Sequence, residues 1–249
     1  MDTMYDQLDF FNTFLSNTTE KQIFIESFAK KFNTPKPFQI LDLGCNEGVL
    51  TLKLLDQIQP FLSPDSLLVG VDPCENAVNA FAQKPLPDNL SACFHAETAE
   101  AFLDKNTKVF DWTIASHCLY WSDDLERTVE MILQSARSGV IVLRGAYGVN
   151  QLQVQFKDWL GDPTGKQYVA DDLEPIFESL NCPVVREDHE SIIHIPPHES
   201  PWFRELVAFC LLTTNEQLDE DRMHAVSQYL RPYGDALRHD ISFFWFGEH

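Results

Sequence analysis

Apolar residues in this chain follow two alternating patterns. Short, nearly continuous apolar runs fall at 38–43, 67–71, 91–95, 110–116 and 139–143. Between them, 48–58, about 75–83 and 123–136 carry apolar residues at helical spacing. Runs of this length bounded by turn residues predict strands, and the wider spacing predicts helices. Strict alternation of the two predicts a mostly parallel sheet with helices on both faces. Right-handed crossovers then bring the strand C-termini to one rim, where ligands bind.

Two helices are predicted ahead of this block. One covers 3–16, with Leu8, Phe11 and Leu15 on one face; the other covers 19–32, with Phe24, Phe28 and Phe32 on one face. Thr19 and Gln22 have the spacing of a capping box. Asn33-Thr34-Pro35-Lys36-Pro37 interrupts the chain before the first strand. After Tyr147 the pattern changes to helical stretches at about 150–160 and 170–180 and a strand at about 184–195 closed by Pro196 and Pro197. Helices at about 200–213 and 215–230 and a last strand at 240–246 follow. With no long linker or internal repeat, 1–249 reads as one α/β domain.

The turn after the first run is the most specific signal. It reads Asp42-x-Gly44-x-Asn46-x-Gly48 and leads into a helix. Such a turn is expected to present bare backbone N–H groups to a nucleotide-like ligand. Gly44 and Gly48 let the backbone approach it, and Asn46 tolerates the positive φ of a tight turn. The next run, Leu67-Leu68-Val69-Gly70-Val71, ends in Asp72, an acid placed to take two ribose hydroxyls. Together they point to an adenosine-bearing cofactor.

Composition narrows the partners. With 38 acids against 18 bases the net charge is −20, which repels a phosphate backbone and excludes nucleic acid as the main partner. A small cationic or polar substrate fits that charge. The cysteines, at 45, 74, 93, 118, 182 and 210, form no C-x-x-C pair and read as reduced thiols of a cytoplasmic protein. The start, MDTMYDQLDFF, lacks the basic region of a signal peptide, and no apolar run approaches 18 residues, so no membrane span is expected. Gly161-Asp162-Pro163-Thr164-Gly165-Lys166 is one residue short of a phosphate loop and lacks its Ser or Thr, so it reads as a turn.

The acid–glycine turn, the acid ending the second strand and the late final strand together resemble class I S-adenosylmethionine-dependent methyltransferases over 37–249. A tighter resemblance, to the histamine N-methyltransferase-like family, rests on four segments. These are Tyr5 through Glu20, Phe94-His95-Ala96-Glu97-Thr98, the stretch from Phe110-Asp111-Trp112 to Leu119-Tyr120-Trp121, and Ile241-Ser242-Phe243. The resemblance implies a Rossmann-like methyltransferase fold: a seven-stranded, mostly parallel sheet with the last strand antiparallel, plus a helical cap. It divides the chain into a cap at 1–36, a cofactor-binding half at 37–147 and a substrate-side half at 148–249 with a helical insertion at about 198–238. The cofactor implied is S-adenosyl-L-methionine, and the reaction is methyl transfer to a small molecule at an amine or imidazole nitrogen. A protein or larger natural product as acceptor, or cofactor binding without turnover, are the alternatives.

The resemblance also distributes roles. Asp42, Gly44, Asn46, Gly48, Asp72, Thr98, Ala99 and Ser116 fall to the cofactor, with Thr98 or Glu97 left as alternatives for the adenine amine. Glu20, His117, Tyr120, Trp121 and His239 fall to the substrate, with His117 and His239 able to take a proton from an ammonium. Each has a plainer reading beside it. Glu20 in a first helical turn complements the helix dipole, and Tyr120 fits a core aromatic cluster equally well. His117 and His239 stand where that family has amides, which bears on the substrate rather than the fold. The spacing of Glu20, His117 and His239 does not support a metal site.

Overall fold

In the computed structural model, which describes residues 8–31, 38–161, 166 and 168–247, the strands are β1 (Gln39–Leu43), β2 (Ser66–Val71), β3 (Leu90–His95), β4 (Phe110–Ser116), β5 (Ala136–Arg144), β6 (Val184–His194) and β7 (Ala236–Gly247). They form one sheet in the order β3-β2-β1-β4-β5-β7-β6. Neighbours among the first five pair in parallel. β7 runs antiparallel to β5. Gly145 donates to the carbonyl of Asp240 at 2.7 Å, while Gly139, earlier on β5, lies against Phe246, later on β7. The same reversal relates β6 and β7. Ile195 donates to Asp235 at 2.8 Å, and the Ser191 hydroxyl donates to the carbonyl of His239 at 2.6 Å.

The helices are α1 (Leu8–Asn17), α2 (Glu20–Ala29), α3 (Val49–Ile58), α4 (Glu75–Ala82), α5 (Ala99–Lys105), α6 (Leu125–Ser135), α7 (Val149–Gln155), α8 (Glu174–Ser179), α9 (Pro201–Cys210) and α10 (Glu220–Leu230). The chain divides into two compact units. The first comprises 1–21, 144–170 and 188–242; the second comprises 22–143, 171–187 and 243–249. Within the second unit, Leu41, Leu43, Leu68 and Val71 of the central strands are buried along with Leu54, Ile58, Val78 and Phe81 of the helices. Phe24 and Phe28 of α2 pack with Trp245, and Phe24 meets Phe243 at 5.3 Å. Within the first unit α1 lies on α9, with Phe14 stacked on Phe209 at 4.4 Å.

Several expectations are corrected. The buried positions of α1 are Phe10 and Phe14, whereas the expected Phe11 and Leu15 are half-buried and the side chain of Leu8 lies outside the described residues; on α9, Phe209 stacks on Phe14 and meets Phe11 only at 5.9 Å. The capping box does not form. Thr19 accepts from Ile192 at 2.9 Å, and Gln22 turns to Glu26 at 2.7 Å, so bonding to β6 outcompetes the local cap. α5 was not expected; its seven residues are too few to show a helical period. The second late helix starts at Glu220 rather than 215, capped by Asp219, and β7 begins four residues before the expected 240. Residues 3–7 and 32 of the expected helices, the break at 33–37 and the core of the 161–166 turn lie outside the described residues.

Candidate functional site

Strand order places the candidate site. β1 lies between β2 and β4, and the chain runs from β1 to one side and later returns to the other. The crevice at such a reversal opens at the strand C-termini. Leu43 pairs with Ala115, so the turn that follows β1 emerges beside Ser116 and His117 at the end of β4.

The turn has the backbone its residues predict: Gly44 at φ 73°, Asn46 at 47° and Gly48 at 75°. Its glycines, however, are required by protein neighbours. A Cβ on Gly44 would stand 2.5 Å from Cβ of Cys118, and one on Gly48 would stand 2.2 Å from the Phe81 ring. The expectation of bare N–H groups is also corrected. Gly44 and Cys45 both donate to the carbonyl of Val71, at 2.8 and 3.1 Å. Asn46 donates to Asp72, Glu47 to the Asn46 side chain at 2.7 Å, and Gly48 to the carbonyl of Cys45 at 2.9 Å. What the turn offers a ligand is its shape and the carboxylates that hold it.

Two buried acids do that holding. Asp42 accepts a hydrogen bond from the Thr51 hydroxyl, tying the end of β1 to the first turn of α3. Asp72 accepts from the N–H of Asn46 with one oxygen and from the N–H of Cys74 with the other, each at 2.9 Å. A carboxylate has about four lone-pair sites, so two remain for a ligand. Burial pushes Asp72 above the usual carboxylate range, and those two backbone bonds pull it partly back. Burial, reinforced by Asp42 and then Asp72, pushes the Cys45 thiol far up. Burial, with Asp42, Glu100 and Asp72, does the same to Cys118. The thiols stay neutral and the site's negative charge is the carboxylates' alone, a field suited to a cation.

Ser116 ends β4 with its hydroxyl buried and without a hydrogen-bond partner, an orphan acceptor or donor at the rim. His117 follows at φ 56°, its N–H bonded to Val142 at 3.0 Å. Its Nδ1 pairs with the Tyr120 hydroxyl at 2.8 Å, and the rings stack. Tyr120 is buried and gives its polar group to the histidine; Trp121 packs edge-on against it at 5.8 Å. Thr98 spends its hydroxyl as the cap of α5, accepting from Ala101 at 3.2 Å, and Ala99 opens that helix. Glu97 is held by Lys105 at 2.6 Å.

In the first unit the chain brings Glu20 and His239 together. Nε2 of His239 lies 2.9 Å from the Glu20 carboxylate, with both side chains 2% exposed. Lys21 meets the other oxygen of Glu20 at 3.0 Å, and Nδ1 of His239 lies 3.4 Å from the carbonyl of Tyr147. Sequence reasoning missed Thr51, Val71 and Cys118. Thr51 has a signal, since it sits in the first turn after the glycines and faces back toward the strand; the other two depend on which strands become neighbours. Among the described residues no cluster of His, Cys, Asp and Glu could hold a metal ion, and no helix is long and apolar enough to cross a membrane.

Known proteins similar to this chain share its fold. The family described as methyltransferase domain matches residues 18–187. A malonyl-[acyl-carrier protein] O-methyltransferase from Acetivibrio thermocellus is 30% identical over 110 residues, 44% of this chain. The match spans 35% of that relative's length. Among solved structures, the plantazolicin methyltransferase BpumL in complex with SAH matches with a TM-score of 0.52 at 17% identity, covering 98% of this chain and 88% of that one. Magnesium protoporphyrin IX methyltransferase from Synechocystis PCC 6803 with bound SAH matches with a TM-score of 0.55 at 11% identity, covering 92% of this chain and 82% of that one. At these identities the structures speak for the fold.

Proposed function

The chain belongs to the methyltransferase domain family, and we propose on that premise that it transfers a methyl group from S-adenosyl-L-methionine to a nitrogen of a small polar or cationic molecule. One observation carries the cofactor: a buried carboxylate, Asp72, fixed by two backbone N–H groups beside the glycine turn, with two lone-pair sites left over. Those sites suit the paired hydroxyls of a ribose, and the orphan Ser116 hydroxyl suits a polar atom of the same ligand.

When bound, the cofactor supplies an electrophilic methyl on a sulfonium. Asp72 takes the ribose hydroxyls, Asp42 and Asn46 keep the turn in shape, and Thr98 and Ala99 flank the adenine. The acids Asp42 and Asp72 favour the cationic cofactor over its neutral product. His117 holds or takes the proton of the acceptor nitrogen, with Tyr120 fixing its ring. Glu20 and His239 recognise the polar end of the substrate. The rate comes largely from aligning the nitrogen lone pair with the methyl–sulfur bond.

The nitrogen acceptor rests on the resemblance to the histamine N-methyltransferase-like family and on the net charge of −20. That charge also argues against a nucleic-acid partner, and the scattered, unpaired cysteines fit a cytoplasmic protein. A second reading, an oxygen acceptor on a larger or carrier-bound substrate, is favoured by the name of the relative that is 30% identical over 110 residues. A screen that follows S-adenosylhomocysteine release across imidazoles, amines and carboxylates decides between them. Release with imidazoles or amines supports the proposal. Release with carboxylates alone supports the second reading, and cofactor binding with no release supports a protein without turnover.

A further inference from the structure

The edge strand β3 carries a constellation that methyl transfer does not use. Cys93 and His95 project from the same face of the strand, two residues apart. Sγ of Cys93 lies 3.3 Å from Nε2 of His95, and Nδ1 of His95 lies 3.9 Å from the Glu97 carboxylate. The ring of Phe102 packs against the imidazole at 5.1 Å and limits its rotation. A thiol, an imidazole within hydrogen-bond reach and an acid behind the imidazole form the arrangement of nucleophile, base and orienting group. Lys105 holds Glu97 at 2.6 Å and keeps it at the constellation's back.

Access separates Cys93 from the other five cysteines. It alone is exposed; Cys45 and Cys210 are buried, and Cys74, Cys118 and Cys182 are partly covered. Burial pushes the Cys45, Cys118 and Cys182 thiols up and Cys210 up to about 12, which suppresses their thiolates. The thiolate is the nucleophile, so this chain offers an attacking reagent one assisted thiol.

We propose that Cys93, with His95 as base and Glu97 as its orienting group, is a modification site that exchanges with small-molecule disulfides. The proton of Cys93 passes to Nε2 of His95. The sulfur then attacks one sulfur of the disulfide, a Cys93–S–S–R bond forms, the original S–S bond breaks, the other half leaves as a thiolate, and His95 passes the proton to solvent or, where the leaving thiolate is basic enough, to it. The disulfide is the oxidant and is reduced by one thiol equivalent; Cys93 is oxidised. The site is the thiol's own and does not depend on the cofactor reading.

The test uses the full chain with an aromatic disulfide that releases a coloured thiolate, at neutral pH, with peptide mass mapping of the first adduct. The expected result is a first adduct on Cys93, with Cys93→Ser abolishing the fast phase. His95→Ala is expected to slow that phase about tenfold, and Glu97→Gln to slow it by a smaller factor. The side chains of His95 and Glu97 are 38% and 24% exposed, so both variants keep the fold, which circular dichroism checks. A first adduct on another cysteine, or an unchanged rate in folded His95→Ala, overturns the proposal.

Discussion

The backbone N–H of Asn46 donates to Oδ2 of Asp72 at 2.9 Å, so the turn after β1 is clamped by the acid that ends β2. The other oxygen of Asp72 takes the N–H of Cys74 just before α4. One carboxylate therefore joins two strand–helix turns.

Asp72→Ala leaves two backbone donors without their partner. Each unsatisfied buried donor costs about 1–3 kcal/mol, so the variant is expected to lose about 2–6 kcal/mol of stability. Loss of the charged acceptor also weakens cofactor binding roughly tenfold or more. Urea denaturation and calorimetry measure the two effects. Unchanged affinity in a folded variant removes Asp72 from the cofactor site.

The pH dependence of binding follows from the raised position of Asp72. Burial lifts it above its ordinary 3.8. As pH falls through that raised value the carboxyl gains a proton, so its cofactor contact is lost at a higher pH than an unperturbed aspartate would show. Stability has the opposite sign. Below 3.8 the group is protonated both folded and unfolded and contributes nothing. As pH rises through the folded value, ionising it in the buried site costs stability. Calorimetric titrations at stepped pH, with Asp72→Asn as the flat reference, check the first effect; identical profiles for the two proteins count against it.

Gly44→Ala combines a left-handed φ with a Cβ 2.5 Å from Cβ of Cys118. The backbone penalty and the overpacking together are expected to cost about 2–4 kcal/mol. Adding Cys118→Gly removes the colliding atom and should recover part of the loss, leaving the backbone penalty. Thermal denaturation of the single and double variants reads this directly, and no recovery in the double variant rejects the close contact as the cause.

Glu20→Ala strands the buried imidazole of His239. Leaving a buried donor without its acceptor is expected to cost about 1–3 kcal/mol, whereas Glu20→Gln keeps an acceptor for Nε2 and costs less. Urea midpoints order the three proteins. Equal midpoints for the parent and Glu20→Ala mean that the pair holds nothing together.

Restoring amides by His117→Gln with His239→Asn is expected to change which acceptor gives the highest kcat/KM while cofactor affinity stays nearly constant. A site built on specific hydrogen bonds rejects molecules that cannot complete them. If the ranking of acceptors is the same in both proteins, the two histidines are structural.

The order of strands and helices was legible in the sequence because each short apolar run and each helical spacing is a local property. β4 at Phe110–Ser116 and the positive φ of Asn46 follow from residue type alone. The acid–glycine turn and Asp72 were legible for the same reason: a tight turn restricts which residues fit. What local sequence cannot carry is competition between partners distant along the chain. Thr19 chose Ile192, 173 residues away, over its own helix, and Phe14 is buried where it stacks on Phe209, which Phe11 meets only at longer range. The bare N–H groups expected of the turn are bonded because β2 runs alongside β1 and delivers the Val71 carbonyl and Asp72. The meeting of Glu20 and His239 spans 219 residues. Sequence thus determined which groups could bond; tertiary structure decided which did, because a buried polar group takes whichever partner packing brings within reach.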